Sequence, residues 1–326
     1  MKSQTLAALV AATIIFANPI GANAAEEKST STPATTTQAA AWPTTIQLAK
    51  GLRPEGIAIK GNTAFVTSYF DGSIARLDLR TGQQSAFSPK VGKGAIGLLL
   101  DAQNRIFVAG GYGGDLRVIN ADNGETIATY QLANESEGTI INDLVMLDGS
   151  LYVTDSTVPV LYKLPFGADG ALPKQEDVTR IPYDGVTFQG EGWTGWNING
   201  ITPTPDGKAL LVVQTNKGLL YRVNPKDGKA VQVDIVGGDI SWGDGMMLEG
   251  NLLYVVRNTV NTLSVFKLND EGTQATLVSN TTDARFDTPT TLARHGDRLY
   301  LTNAHFMAEN PAETQYEIIS IPAPKP

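Results

Sequence analysis

The chain has 326 residues, a formal net charge of −8, 42% hydrophobic residues, 33 glycines and no cysteine. Apolar side chains are plentiful enough to build a buried core, so an intrinsically disordered chain is excluded, and so are disulfides, thiolate metal sites and a cysteine nucleophile. With two histidines, His295 and His305, a zinc site of the usual nitrogen and sulfur donors is disfavoured, and the acidic balance argues against binding phosphate backbones.

In chain order, residues 1–24 read as a signal peptide: Lys2, an apolar run from Leu6 to Phe16, and the small-residue cleavage site Ala22-Asn23-Ala24. The run is too short to cross a bilayer as a helix, so export to the periplasm or the medium without a membrane span is expected. Residues 25–41 hold no large apolar side chain and are expected to form a flexible Ser/Thr-rich leader ahead of a domain at residues 42–326.

Six similar units follow, beginning at Gly56, Gly97, Asp143, Gly200, Gly245 and Thr291, at spacings of 41 to 57 residues. Each runs as an apolar strand, a tight turn, a second strand, a loop and a third strand that ends near a Gly turn. Gly61-Asn62, Asp148-Gly149 and Pro205-Asp206-Gly207 punctuate first hairpins. No stretch sustains a helical period, and the spacing suits a four-stranded blade, so the sequence predicts an all-β fold, a six-bladed β-propeller. The sixth unit ends after its third strand, while residues 43–48 precede the first unit without a partner. That N-terminal strand is expected to close the last blade and leave no open edge. The long interval at residues 172–198, with Phe188, Trp193 and Trp196, reads as an insertion that shapes a binding face. The run Asn120-Ala121-Asp122-Asn123-Gly124-Glu125 faintly suggests a calcium loop, but it falls at the last hairpin of its blade and reads as a turn.

Equivalent positions in a propeller are related by rotation about the central axis, so the residue just before each innermost strand forms a ring at one mouth of the channel. That position holds Glu55, Ile96, Asn142, Asn199, Asp244 and Thr290. Any one of the polar residues also suits a strand start, where it satisfies loop backbone groups. Taken together, Glu55, Asn142, Asn199 and Asp244 offer two carboxylates and two amide carbonyls, a hard oxygen site for Ca²⁺, with Mg²⁺, Mn²⁺ or Zn²⁺ as alternatives. Two carboxylates buried together without a cation would be forced toward neutrality, which favours the metal.

The ends of the second strands fall on the same face and bring up Tyr69, Asp155, Gln214, Arg257 and His305. Arg257 reads either as an anchor for a substrate carboxylate or as half of a surface ion pair. His305 reads as a general base, as a partner standing behind the metal ligands, or as a packed or solvent-exposed side chain. Trp193, Trp196 and Trp242 read as walls of a substrate site or as loop packing. His295 lies in a far-side turn and is assigned no role.

The fragments Pro54-Glu55-Gly56, Asn142-Asp143, Asn199-Gly200 followed by Pro205-Asp206-Gly207, and Asp244-Gly245-Met246 resemble the regucalcin/gluconolactonase family of six-bladed propellers. That family includes drug-responsive lactonases and is related to diisopropylfluorophosphatase and paraoxonase. The resemblance covers roughly residues 42–322. It implies that Glu55, Asn142, Asn199 and Asp244, from the first, third, fourth and fifth blades, bind a catalytic divalent cation. It also implies hydrolysis of a lactone or related ester, with Asp244 or Asp143 taking a proton from the attacking water. Sugar-lactone members carry an Arg two residues before the third-blade Asn, where this chain has Ile140, so a substrate less polar than a sugar-acid lactone is expected. Two further functions stay open here: phosphotriester hydrolysis at the same cation, and a non-catalytic binding platform whose cation locks the blades. A monomer acting on a small molecule, without a nucleic-acid partner, is expected.

Overall fold

Each blade is covered on both faces by its neighbours, so its inner strands have no solvent side and read as apolar runs instead of alternating patterns. Ser150–Asp155 and Leu210–Gln214 are buried at every residue, whereas the outer strand Thr126–Gln131 is mostly exposed. The computed structural model describes residues 42–190 and 195–324; the signal peptide, the leader and Trp193 lie outside the described residues. Among the described residues there is no α-helix, only short 3₁₀ turns, and no helix long and apolar enough to cross a membrane.

Six antiparallel sheets form the propeller, with innermost strands Pro54–Lys60, Leu98–Leu100, Ile141–Leu147, Ile198–Pro203, Gly243–Glu249 and Pro289–His295. Each innermost strand touches those of both neighbours, the sixth against the first included. Thr45–Gln47 pairs antiparallel with Glu317–Pro322 as the outer strand of blade six, as the sequence predicts. Ile46 and Leu48 are buried with Val66, Leu77, Tyr300 and Tyr316, which joins blade six to blade one. Blade five carries an extra strand, Asp234–Val236, parallel to Gln274–Thr281. The interval at residues 172–198 is not one insertion: Thr179–Pro182 is the fourth strand of blade three, and only the part after it crosses to the mouth. Asn120 to Glu125 is a turn, with Gly124 at φ 79° and its N–H bonded to the Asn120 carbonyl.

The position of the ring residues differs from expectation in an informative way. In five blades the innermost strand starts with a β-bulge: Pro54 to Ile57 spans one residue more than the facing Ser68 to Val66, and the same shift recurs at Ile141/Leu144, Ile198/Ile201, Gly243/Met246 and Pro289/Leu292. Glu55, Asn142, Asn199, Asp244 and Thr290 therefore lie inside their strands, within the bulges, and not just ahead of them. A bulge bends the strand and re-aims its side chains. Blade two starts its strand at Leu98, so Ile96 stays outside. Glycine follows the ring residue where the neighbouring backbone passes closest: a Cβ on Gly200 would sit 2.2 Å from the Asp244 carbonyl oxygen, and one on Gly56 would sit 2.3 Å from that of Ile96. A larger residue at either position would push apart strands that carry ring side chains.

Candidate metal centre and mouth cavity

The bulges bury Glu55, Asn142, Asn199 and Asp244, each 7% exposed or less. Glu55, Asn199 and Asp244, together with Asp143, line a water-sized cavity of about 20 Å³ in the channel. Asn142 lies beside them and donates through Nδ2 to Ser156 Oγ at 2.8 Å. Asp244 Oδ2 accepts from Asn258 Nδ2 at 2.8 Å. Asp143 accepts from the Leu144 and Ile201 N–H groups at 2.8 and 3.2 Å, which ties blade three to blade four. None of the three acids has an ion-pair partner among the described residues, and the Glu55 carboxylate has no hydrogen bond there either.

Electrostatics follows from that burial. Loss of water, then repulsion from Asp244 and Asp143, holds Glu55 well above the usual carboxylate range. Asp244 is raised for the same reasons, burial first, against the opposing hydrogen bond from Asn258. Asp143 is pushed up to about 6 by burial, against its two backbone hydrogen bonds. The Asn199 amide lies near enough to Asp244 to favour its charged form but makes no well-formed hydrogen bond, so Nδ2 is a buried donor without a partner. Exchanging the oxygen and nitrogen of that amide is a half-turn of the side chain, which would present a carbonyl oxygen at the same place.

These features fit a hard divalent cation: oxygen donors from four blades, and acids driven toward neutrality for want of a positive charge. Among the described residues no three His, Cys, Asp or Glu side chains converge as a metal site, so a cation here depends on the amide oxygens as well as the acids.

Above the ring a cavity of about 370 Å³ opens at the mouth, with Glu55 in its lining. Tyr69, Tyr112, Trp196 and Phe306 form its aromatic walls, and Ile96 and Ile140 its aliphatic ones. The Tyr69 and Phe306 rings meet edge to face, 5.6 Å between centroids. No Lys, Arg or His is among the described lining residues. Trp196 and Ile140 are where sequence reasoning puts them. Tyr112 and Phe306 are additions, and the signal for them is their place in the loop after the second strand, the place Tyr69 takes in blade one. Also missed are the threonines that strap the blades together. Thr67, Thr154, Thr215 and Thr302 donate through Oγ1 to the carbonyls of Ile96, Asn199, Gly243 and Glu55, each on the next blade, at 2.6 to 2.8 Å.

Other predicted residues sit apart from the cavity. Trp242 is half-buried at φ 58°, with its carbonyl accepting from the Asn258 N–H, and does not line the mouth. Phe188 stacks on Tyr183 at 6.0 Å. The Arg257 guanidinium is held by Asp239 and by the Ser241 carbonyl and hydroxyl, which corrects its reading as an anchor for a substrate carboxylate. Asp155 is consumed by hydrogen bonds from Thr139, Ile140, Thr157 and Val158, and Gln214 bonds Thr187 and Asn197. His295 stacks on Trp42 on the far side, 4.8 Å between centroids.

His305 faces the Asp287 carboxylate with Nδ1 at 2.6 Å and the Glu317 carboxylate with Nε2 at 2.9 Å, next to Phe306 of the cavity wall. Carboxylates only accept, so both contacts require the imidazolium, and the Glu317 hydrogen bond foremost raises the pKa above 6.5. A raised folded-state value gives stability that is complete below the unfolded pKa and lost as pH rises through the folded one. Thermal unfolding is therefore expected to show a midpoint that falls as pH climbs above 6.5, with that component missing in His305→Ala; an identical profile in the variant would contradict it.

No protein-family model and no curated protein matches the sequence. Among solved structures, the major Malassezia sympodialis allergen Mala s 1 is 17% identical, with a TM-score of 0.65 over 86% of this chain and 96% of that one. Regucalcin from Agrobacterium tumefaciens, a calcium-binding protein, is 18% identical, with a TM-score of 0.59 over 85% of this chain and 93% of that one. The chain has the fold of the regucalcin-like propellers. Virginiamycin B lyase from Staphylococcus aureus is 13% identical, with a TM-score of 0.52 over 85% of this chain and 99% of its own. Structures similar to this chain thus include a calcium-binding protein and a lyase, and chemistry has to be argued from the site.

Proposed function

We propose that this propeller is an exported, monomeric, divalent-metal-dependent hydrolase acting on a lactone or related ester less polar than a sugar-acid lactone. The observation that carries the reading is the buried acid set, Glu55 and Asp244 with Asp143, at the floor of an apolar cavity and without a positive partner among the described residues. Glu55, Asn142, Asn199 and Asp244 would hold the cation. Bound there, Ca²⁺ or a related ion supplies polarisation of a carbonyl oxygen and a lowered pKa for water. The remaining work belongs to the protein's own groups. Tyr69, Tyr112, Trp196 and Phe306 hold the apolar part of the substrate and exclude bulk water. Asp143, fixed by the Leu144 and Ile201 N–H groups, takes a proton as water attacks, a task suited to a carboxyl pushed up to about 6. Ile140 gives the wall no charge with which to hold a sugar acid. That a calcium-binding protein, regucalcin, and an enzyme, virginiamycin B lyase, are among the structures similar to this chain supports the reading.

Elemental analysis of the purified protein, followed by a panel of lactones, esters and phosphotriesters with and without chelator, tests it. The expected result is a bound divalent metal and chelator-sensitive turnover of an apolar lactone or ester. Full turnover by metal-free protein would overturn the proposal, and metal without turnover of any substrate favours the binding platform.

A further inference from the structure

We propose that the mouth cavity is also a binding site for a tertiary or quaternary alkylammonium ion, with its charge against Glu55 and its alkyl groups against the aromatic walls. Glu55 is the one formally charged side chain in the described lining of the cavity, is 7% exposed, and has neither hydrogen bond nor ion pair on its carboxylate among the described residues. Asp143 and Asp244 lie below it in the channel, and among the described residues no basic side chain lines the cavity.

The walls decide what kind of cation fits. Aromatic faces carry the negative side of a ring quadrupole and attract cations most where water is excluded, and Tyr69, Tyr112, Trp196 and Phe306 contribute four such rings. A primary ammonium has three N–H donors to satisfy, and besides Glu55 the described lining offers only the hydroxyls of Tyr69, Tyr112 and Thr157, the last already bonded to the Gly138 carbonyl and to Asp155. A substituted ammonium loses less hydration and gains apolar contact, so it suits this lining better. The volume of about 370 Å³ admits a small alkylammonium whole. The inference does not depend on hydrolysis. A metal at the ring and an ammonium ion in the mouth would both use Glu55, so each is expected to weaken the other by the same factor.

The test is calorimetric titration of choline, and of dimethylbutanol as its uncharged carbon isostere, into chelator-treated full-length protein. Choline is expected to bind about ten-fold or more tightly than the alcohol. Glu55→Gln should remove that preference, and Tyr112→Ala, at a position already 57% exposed, should lower choline affinity about three-fold or more while the protein stays folded. Bound Ca²⁺ should displace choline. Asp244→Asn should abolish Ca²⁺ binding yet keep choline binding, so failure of the metal site and failure of the ammonium site are read separately. Equal affinity for choline and the alcohol, no binding of either, a Glu55→Gln protein that still prefers choline, or Ca²⁺ that binds without displacing it would each overturn the proposal.

Discussion

Asp244→Ala and Glu55→Ala are each expected to abolish divalent-metal binding together with any hydrolase turnover, because each removes one of the two charged ligands from a small site. Asn199→Ala is expected to weaken binding less, since water can replace a neutral carbonyl. Thr290→Ala is the control. Its hydroxyl bonds the Glu55 carbonyl and Thr302 Oγ1 instead of facing the channel, so its loss costs about 1 kcal/mol of stability and no ligand. Chelation should lower the unfolding midpoint of the wild type, through a loss of about 2.7 kcal/mol of stability where free metal stood at a hundred times its dissociation constant, and leave Asp244→Ala unmoved.

The chelated protein should also show a particular pH dependence. Glu55, Asp143 and Asp244 all have folded-state values raised above the unfolded ones, so the folded state holds their protons more tightly. Their contribution to stability is complete below the unfolded values and is lost as pH rises through the folded ones, about 6 for Asp143. Added Ca²⁺ should restore the loss. Calorimetric titration with Ca²⁺ and thermal unfolding across pH measure both effects; Asp244→Ala binding as tightly as wild type would remove the shared site and move the binding platform ahead.

A chain beginning at Lys50 is expected to unfold at a midpoint lower by on the order of 10 °C than one beginning at Ala41. The truncation removes Thr45–Gln47 from blade six, with the hydrogen bonds from Ser320 N to the Thr44 carbonyl and from Leu48 N to the Tyr316 carbonyl, both 2.8 Å. It also removes the side chains of Ile46 and Leu48, 1% and 3% exposed. Each such side chain stabilises by roughly 1.5–3 kcal/mol when fully buried. The truncation further bares the edge of Glu317–Pro322, so aggregation on heating is expected to accompany the lower midpoint. An unchanged midpoint would mean that the ring is closed by other contacts.

The sequence by itself determined the six blades, their closure by the N-terminal strand, and the register that brings Glu55, Asn142, Asn199 and Asp244 to one end of the channel. Apolar runs and turn glycines are local signals, and a fixed period repeats one local solution around an axis. The tertiary structure decided where the side chains point. Bulges set by pairing with the second strand turned Glu55, Asn199 and Asp244 to the channel cavity, and pairing register is not written in either strand alone. Loop conformation decided the rest: Asp239 and Ser241 claimed Arg257, Asp287 and Glu317 claimed His305, and a positive φ accompanies Trp242's place outside the cavity lining. Tyr112 and Phe306 joined Tyr69 because rotation about the axis gathers loop residues that lie far apart in the chain. Loops differ in length from blade to blade, so the period that aligns the strands does not align them, and packing between neighbouring blades settles which of their side chains reach the mouth.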